Sequence, residues 1–252
     1  MGKEGVSSVE HYVTRGESKL WTVIADQIDS LKPYLCLCGG GPGMGDSLLA
    51  VDKLLKSHFN IVRFEQRGCG RSTKDGNYTL STVLDDVEAI RKYYEISNWF
   101  IAGHSWGAGV ALFSALKYPK SCNGIIYICG MGIQNDDDWI EEFNKNAKAL
   151  EEPEFTLPPE LEINYDVTNM GLRSFKEYIK QPTLLRDLTQ LKVPVLIICG
   201  DQDIRPNWPA IQLGNLLQNS QLAILLNSNH FPYEKEPEAF KAIIINWLAK
   251  VS

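Results

Sequence analysis

The sequence predicts an α/β fold in which a mainly parallel sheet of eight strands is flanked by helices. The first observation behind this prediction is that short apolar stretches, of strand length, alternate with amphipathic stretches of helix length. The second is the chain length, because 252 residues are enough to bury one sizeable core of this kind.

The predicted elements follow one another in a regular order. Two β-like stretches, HYVTRG and KLWTVIA, open the chain and are predicted to pair antiparallel at the entry to the sheet. The alternating part comprises strand YLCLC, helix MGDSLLAVDKLLKSH, strand NIVRFEQ, helix TLSTVLDDVEAIRKYYEI, strand WFIAG, helix GAGVALFSALKYP and strand GIIYICG. Near the end come strand VPVLIICG, a helix around WPAIQLGNLLQN, strand QLAILLN and helix EKEPEAFKAIIINWLAKV.

The alternation stops over residues 133–187, which are rich in acidic residues and contain three prolines between 153 and 159. We predict that 133–187 is a short inserted helical lid and that 1–132 and 188–252 form the α/β core. Carboxylates in the lid either hold a substrate ammonium group or lie on a solvated helix face. The acidic residues concerned are Asp136, Asp137, Asp138, Glu141, Glu142, Glu151, Glu152, Glu154, Glu160 and Glu162.

The charge balance argues against nucleic acid as a partner. The chain has 31 acidic residues against 25 lysines and arginines, for a formal net charge of -6, whereas nucleic-acid affinity depends on neutralising phosphates. No apolar run reaches the roughly 18 residues of a membrane span, and no apolar stretch follows the first basic residue at the N-terminus. We therefore expect a cytoplasmic protein with no membrane partner.

The cysteines are predicted to act as small buried hydrophobes. Most lie in strand-like stretches, none forms a C-x-x-C pair, and the chain has only four histidines. The sequence thus predicts no disulfide framework, no structural metal and no cofactor. The six cysteines are Cys36, Cys38, Cys69, Cys122, Cys129 and Cys199.

A candidate nucleophile lies in the segment Gly103–Gly107, which matches G-x-S-x-G with Ser105 at its centre. The apolar strand before it ends at Gly103 and an amphipathic helix begins at Trp106, which is the strand, turn and helix that expose such a serine. The alternative is a glycine-rich turn whose serine only caps the helix.

A serine nucleophile needs a base, and His230 is the best placed of the four histidines. It follows a strand and precedes the last helix, so it lies at the carboxyl edge of the sheet, where catalytic groups gather. The others are in the first strand (His11), at a helix end (His58) and inside the serine motif (His104).

The carboxylate that orients the histidine should lie between the serine and the histidine in chain order. Asp201 and Asp203 both follow the strand that ends at Gly200. Asp203 is favoured because a residue just beyond the turn can point back towards His230, whereas Asp201 at the strand exit suits a turn former.

Negative charge on an acyl oxygen calls for backbone donors. The N–H of Trp106, next after the serine, is one candidate, and the glycine-rich run Gly39–Gly43 supplies others. That run lacks the G-K-[ST] of a phosphate loop, so either an oxyanion loop or plain turn chemistry explains it.

Five motifs in fixed order, GGGPG, FEQRGCGRS, GHSWGA, GDQD and NHFPYEKEP, resemble the α/β-hydrolase superfamily over nearly the whole chain, and most of all its proline iminopeptidase branch. The resemblance implies a catalytic triad of Ser105, Asp203 and His230. It also implies an oxyanion hole formed by Gly41 and Trp106.

The leading functional hypothesis is a serine hydrolase that cleaves a small ester, amide or aminoacyl bond through an acyl-enzyme, with no cofactor. Its partner would be a small ester, amide or short peptide substrate. The alternatives are a proline iminopeptidase-like aminopeptidase, a carbon-carbon bond hydrolase or a cofactor-free peroxidase with the same triad, and a non-catalytic binding module of the same fold. The oligomeric state is left open.

Overall fold

The computed structural model describes residues 8–134, 137–150 and 162–251. Within these ranges eight strands form one sheet. The strands are β1 (Ser8–Arg15), β2 (Ser18–Ala25), β3 (Tyr34–Cys38), β4 (Asn60–Phe64), β5 (Trp99–His104), β6 (Cys122–Ile128), β7 (Val195–Gly200) and β8 (Ser220–Leu225). The α-helices are α1 (Leu49–Leu55), α2 (Leu80–Tyr93), α3 (Trp106–Lys117), α4 (Asp137–Ala149), α5 (Tyr165–Tyr178), α6 (Leu184–Thr189), α7 (Trp208–Leu216), α8 (Pro232–Lys235) and α9 (Pro237–Val251).

The strand order in the sheet is β1-β2-β4-β3-β5-β6-β7-β8. Strand β2 runs antiparallel to both of its neighbours, and every pairing from β4 to β8 is parallel. The predicted fold class is therefore confirmed, including the antiparallel entry. Because β5 lies among the central strands, its carboxyl end opens at the middle of the sheet edge where sites in such folds form.

Two apolar layers cover the sheet, and β5 shows how the sequence builds them. All six of its residues are buried, and neighbours point to opposite faces: Ile101 joins the layer under α2 and α3, whereas Phe100 and Ala102 join the layer under α1 and α9. A continuous apolar run is what a strand covered on both faces requires. The strand is thereby fixed on both sides, and so is the residue that follows it.

Helices α4, α5 and α6 lie between β6 and β7. The first two lie within the segment predicted to be a lid, and α6 crosses the predicted end of that segment at residue 187. Helix α5 buries Val167, Gly171 and Phe175 against the rest of the protein, whereas no residue of α4 is buried. The acidic residues Asp136, Glu151, Glu152, Glu154 and Glu160, named as possible substrate contacts, lie outside the described residues. In the part of the chain that the structure describes, no helix has the length and apolarity needed to cross a bilayer.

Candidate active site

Ser105 occupies a sharp turn between the last residue of β5 and the first residue of α3. Its backbone has φ 55 and ψ -116, a conformation that costs free energy in a residue with a side chain. Its N–H donates to the carbonyl oxygen of Ile128 over 2.8 Å. The residue occupies the N-cap position of α3, but its hydroxyl makes no hydrogen bond that caps the helix.

The two glycines of the motif allow the surrounding backbone to approach this turn. A Cβ on Gly107 would lie 2.0 Å from the carbonyl oxygen of Cys38, and one on Gly103 would lie 1.9 Å from the carbonyl oxygen of Gly107. Both distances are far below van der Waals contact. The spacing G-x-S-x-G therefore follows from close packing of α3 against β5 and the end of β3.

Asp203 and His230 meet at the carboxyl edge of the sheet, in the loops that follow β7 and β8. Nδ1 of His230 lies 2.6 Å from Oδ2 of Asp203, and both side chains are almost fully buried. Because a carboxylate only accepts hydrogen bonds, Nδ1 carries the proton and Nε2 is left as the acceptor. A histidine in this tautomer can take a proton from a neighbouring hydroxyl.

The Asp203 carboxylate is ionised in this site. Burial alone raises its pKa, but the hydrogen bond from His230 and the nearby charge and backbone N–H of Arg205 outweigh burial, and the pKa lies below its ordinary value. Asp203 is therefore a fixed negative charge beside His230 at neutral pH, as the stabilisation of a positive imidazolium requires.

Asp201, the competing carboxylate, has a different position. Its side chain is exposed and accepts a hydrogen bond from the backbone N–H of Ser228 over 3.1 Å. It thus braces the loop that leads to His230 and belongs to the turn after β7. Of the two aspartates, the one that contacts the imidazole of His230 is Asp203.

The glycine-rich loop after β3 lies against the serine turn. A Cβ on Gly40 would lie 3.3 Å from Cβ of Ser105 and 2.7 Å from Nδ1 of His104. Gly41 follows with φ 55, and its carbonyl oxygen accepts from the N–H of Met44 over 3.1 Å. The structure therefore places Gly40, the residue before Gly41, against Ser105, and α3 begins at Trp106 directly after the serine.

His104 links the nucleophile segment to the base, a contact that sequence reasoning missed. The ring is buried, and its Nε2–H donates to the backbone carbonyl oxygen of His230 over 2.7 Å. The two imidazole rings lie 4.6 Å apart between centroids. Since His104 directly precedes Ser105, one hydrogen bond connects the chain at the serine to the loop that carries His230.

Comparisons with known proteins agree with this fold. A family model described as alpha/beta hydrolase fold matches residues 33–152. The chain is 22% identical to a proline iminopeptidase of Clostridioides difficile over 93% of this chain and 95% of that protein, and 22% identical to a putative carbamate hydrolase, RutD, of Cronobacter turicensis over 87% and 92%. The solved structure of an E-2-(acetamidomethylene)succinate hydrolase superposes with a TM-score of 0.76 at 16% identity, covering 96% of this chain and 100% of that one.

The chain has the fold of the α/β-hydrolases. In this α/β-hydrolase, helix α5 of the segment between β6 and β7 holds the glycine-rich loop in place. The N–H of Asn164, which caps α5, donates to the carbonyl oxygen of Gly43 over 2.9 Å, and a Cβ on Gly171 would lie 2.9 Å from Pro42. The oxyanion-loop candidate is thus packed between the sheet and α5.

We expect His104 to make the stability of this α/β-hydrolase depend on pH. Burial, and secondarily the charge of His230, keep the pKa of His104 well below its ordinary value of 6.5. Below pH 6.5 the unfolded chain therefore binds a proton that the folded chain does not. The free energy of unfolding then decreases as pH falls, by about 1.4 kcal/mol per pH unit. This decrease ends at the folded-state pKa of His104.

We expect His104→Gln to remove this dependence, since glutamine can still donate a hydrogen bond but does not titrate. Urea unfolding of both proteins between about pH 6 and about pH 5 measures it. The wild-type free energy should fall more steeply than that of the variant by about 1.4 kcal/mol per pH unit. Parallel curves for the two proteins would contradict the buried, neutral state of His104.

Proposed function

We propose that this α/β-hydrolase cleaves a small ester, amide or aminoacyl bond by serine catalysis through an acyl-enzyme. The observation that carries the proposal is the buried 2.6 Å hydrogen bond between His230 and Asp203, in a loop tied by His104 to the strained turn of Ser105. Strained backbone and a buried His-Asp pair are both features that concentrate at reactive sites.

In the proposed first step, Oγ of Ser105 attacks the acyl carbon while Nε2 of His230 takes its proton. The imidazolium that forms keeps its Nδ1–H bond to Asp203, whose negative charge stabilises it. The proton then passes from Nε2 to the leaving oxygen or nitrogen, and the bond between that atom and the acyl carbon breaks. The product of this step is an acyl ester on Ser105.

The backbone N–H groups of Gly41 and Trp106 are proposed to donate to the acyl oxygen as it becomes negative. In the second step, water attacks the acyl ester with His230 again as the base, and Ser105 regains its proton. The packing of α5 against the glycine-rich loop supports this assignment, because hydrogen-bond donors that are fixed in advance do not have to reorganise during the reaction.

A substrate without a free amino group is favoured over an aminoacyl substrate. The comparison proteins are named for iminopeptidase and carbamate hydrolysis, so cleavage next to nitrogen stays within the proposal. Yet among the described acidic residues of the lid segment, Asp137, Asp138, Glu141 and Glu162 are exposed to solvent and Glu142 is half-buried. Carboxylates in water attract an ammonium group only weakly.

We therefore expect N-acetylation of a substrate to change kcat/KM by less than about tenfold, the loss that follows from removing 1.4 kcal/mol of pairing. The measurement compares L-alanyl and L-prolyl p-nitroanilides with their N-acetyl forms, alongside p-nitrophenyl butyrate as a neutral ester. The ester should be the best substrate. If the free-amino anilides are cleaved much faster than both the acetylated anilides and the ester, the protein is an aminopeptidase.

The same panel separates the serine hydrolase from its rivals. A non-catalytic binding module turns over none of these substrates. A carbon-carbon bond hydrolase or a peroxidase leaves the esters and anilides largely intact and would need its own substrate class. Hydrolysis of at least one ester or anilide, lost in the Ser105→Ala variant, is the result that the proposal requires.

A further inference from the structure

A buried thiol lies beside the Asp203–His230 pair. Cys129 is the first residue after β6, and its N–H donates to the carbonyl oxygen of Ile198 on β7 over 2.8 Å. Its φ of 45 turns the chain sharply at this point. Ligand atoms of Cys129, Asp203 and His230 all lie within 4.8 Å of one another, and all three residues are buried.

A thiol, an imidazole and a carboxylate are a donor set suited to Zn²⁺ and related thiophilic cations. Each donor comes from a different strand end, after β6, β7 and β8, so the spacing is fixed by the sheet. Bond lengths of about 2.3 Å to sulfur and about 2.0 Å to nitrogen or oxygen require the three side chains to draw together by roughly 1 Å. The carbonyl oxygen of Asn229, 4.0 Å from Sγ of Cys129, lies close enough to add a fourth donor.

We propose that Cys129, Asp203 and His230 form an inhibitory binding site for Zn²⁺ or a similar thiophilic divalent cation. Its inhibitory effect rests on the proposed function of His230, whereas cation binding itself does not. A dication with one thiolate and one carboxylate is neutral overall, which favours a buried location over a site of uncompensated charge. This site would be regulatory, in contrast to the structural metal sites that the sequence argues against.

Cation binding disables the base through its tautomer. In the free protein Nδ1 of His230 carries the proton and donates to Asp203. When the cation takes the Nδ1 lone pair, the imidazole proton moves through solvent to Nε2, and the thiol proton of Cys129 is released. Nε2 then carries a hydrogen and cannot accept the proton of Ser105, so acylation stops.

The binding half is tested in the Ser105→Ala protein, where no turnover can interfere. Titration with Cd²⁺, a spectroscopic stand-in for Zn²⁺, should give one equivalent of thiolate-to-cadmium charge-transfer absorption in the ultraviolet. Cys129→Ser and Cys129→Ala in the same background should abolish it. Cys122→Ser is the matched control, because Cys122 is a buried, free cysteine at the opposite end of β6, and the band should persist there. A band that survives both Cys129 variants overturns the proposal.

The inhibition half is tested by assaying ester hydrolysis against rising Zn²⁺, with each protein normalised to its own uninhibited rate. Loss of one ligand should raise the inhibition constant at least about tenfold in Cys129→Ser and leave it unchanged in Cys122→Ser. Equal inhibition constants in wild type and Cys129→Ser contradict the site. A Cys129-dependent band without any ester hydrolysis would support the cation site and contradict the proposed function. Ester hydrolysis without such a band would support the proposed function and contradict the cation site.

Discussion

Replacing Ser105 with alanine is expected to lower kcat by roughly 10⁵-fold or more, because the acyl-enzyme cannot form. The fold should change little, since the hydroxyl makes no hydrogen bond that caps α3 and an alanine side chain fits the same turn. Steady-state kinetics on p-nitrophenyl butyrate measures the loss. Thermal unfolding checks that the fold is intact.

Ser114→Ala is the matched control for this experiment. Ser114 is a buried serine within α3, nine residues beyond the nucleophile candidate. Its removal should leave kcat near the wild-type value. If Ser105→Ala keeps more than about one hundredth of the activity, while Ser114→Ala behaves as wild type, the nucleophile lies elsewhere.

Replacing Asp203 with asparagine should lower kcat by about 10⁴-fold with little effect on folding. The amide is the same size, but its NH₂ group can donate to Nδ1 and so favours the tautomer with the proton on Nε2, which is the wrong one for a base. The imidazolium also loses its charge partner. Kinetics at saturating substrate measures the loss of kcat, and an unfolding curve for each protein measures the effect on folding.

Asp201→Asn is the matched control, because Asp201 lies two residues earlier in the same loop and accepts only a backbone hydrogen bond from Ser228 in the described contacts. Its kcat should stay within about tenfold of wild type, the small change coming from a slightly looser loop. The opposite ranking of the two variants would mean that the carboxylate acting on His230 is Asp201.

The sequence could identify much of the site because strand order alone determines where chain segments emerge. In a parallel sheet the residues after β5, β7 and β8 share one edge, so Ser105, Asp203 and His230 could be predicted to converge from their places along the chain. The preference for Asp203 over Asp201 followed from turn geometry, and the contact of Asp203 with the imidazole of His230 agrees with it. Their catalytic roles stay predictions.

What the sequence could not provide are contacts between backbone and distant side chains. The bond from His104 to His230 joins a side chain to a carbonyl oxygen 126 positions away, and no spacing pattern encodes it. The same holds for the hydrogen bond from the N–H of Asn164 to the carbonyl oxygen of Gly43. Helix ends were also missed: the helix predicted from Met44 begins at Leu49, because the residues before it continue the glycine-rich loop through the turn from Gly41 to Met44.

The central claim is that Ser105 is a nucleophile activated by a neighbouring base and oxyanion hole. The most direct measurement is the intact mass of the protein after treatment with a fluorophosphonate, followed by peptide mapping of the adduct. One equivalent should be added to the wild type and mapped to Ser105, and none to Ser105→Ala, because only an activated serine reacts readily with such a probe. Labelling of Ser105→Ala to the same extent, or an adduct mapped to a different residue of the wild type, would contradict the claim.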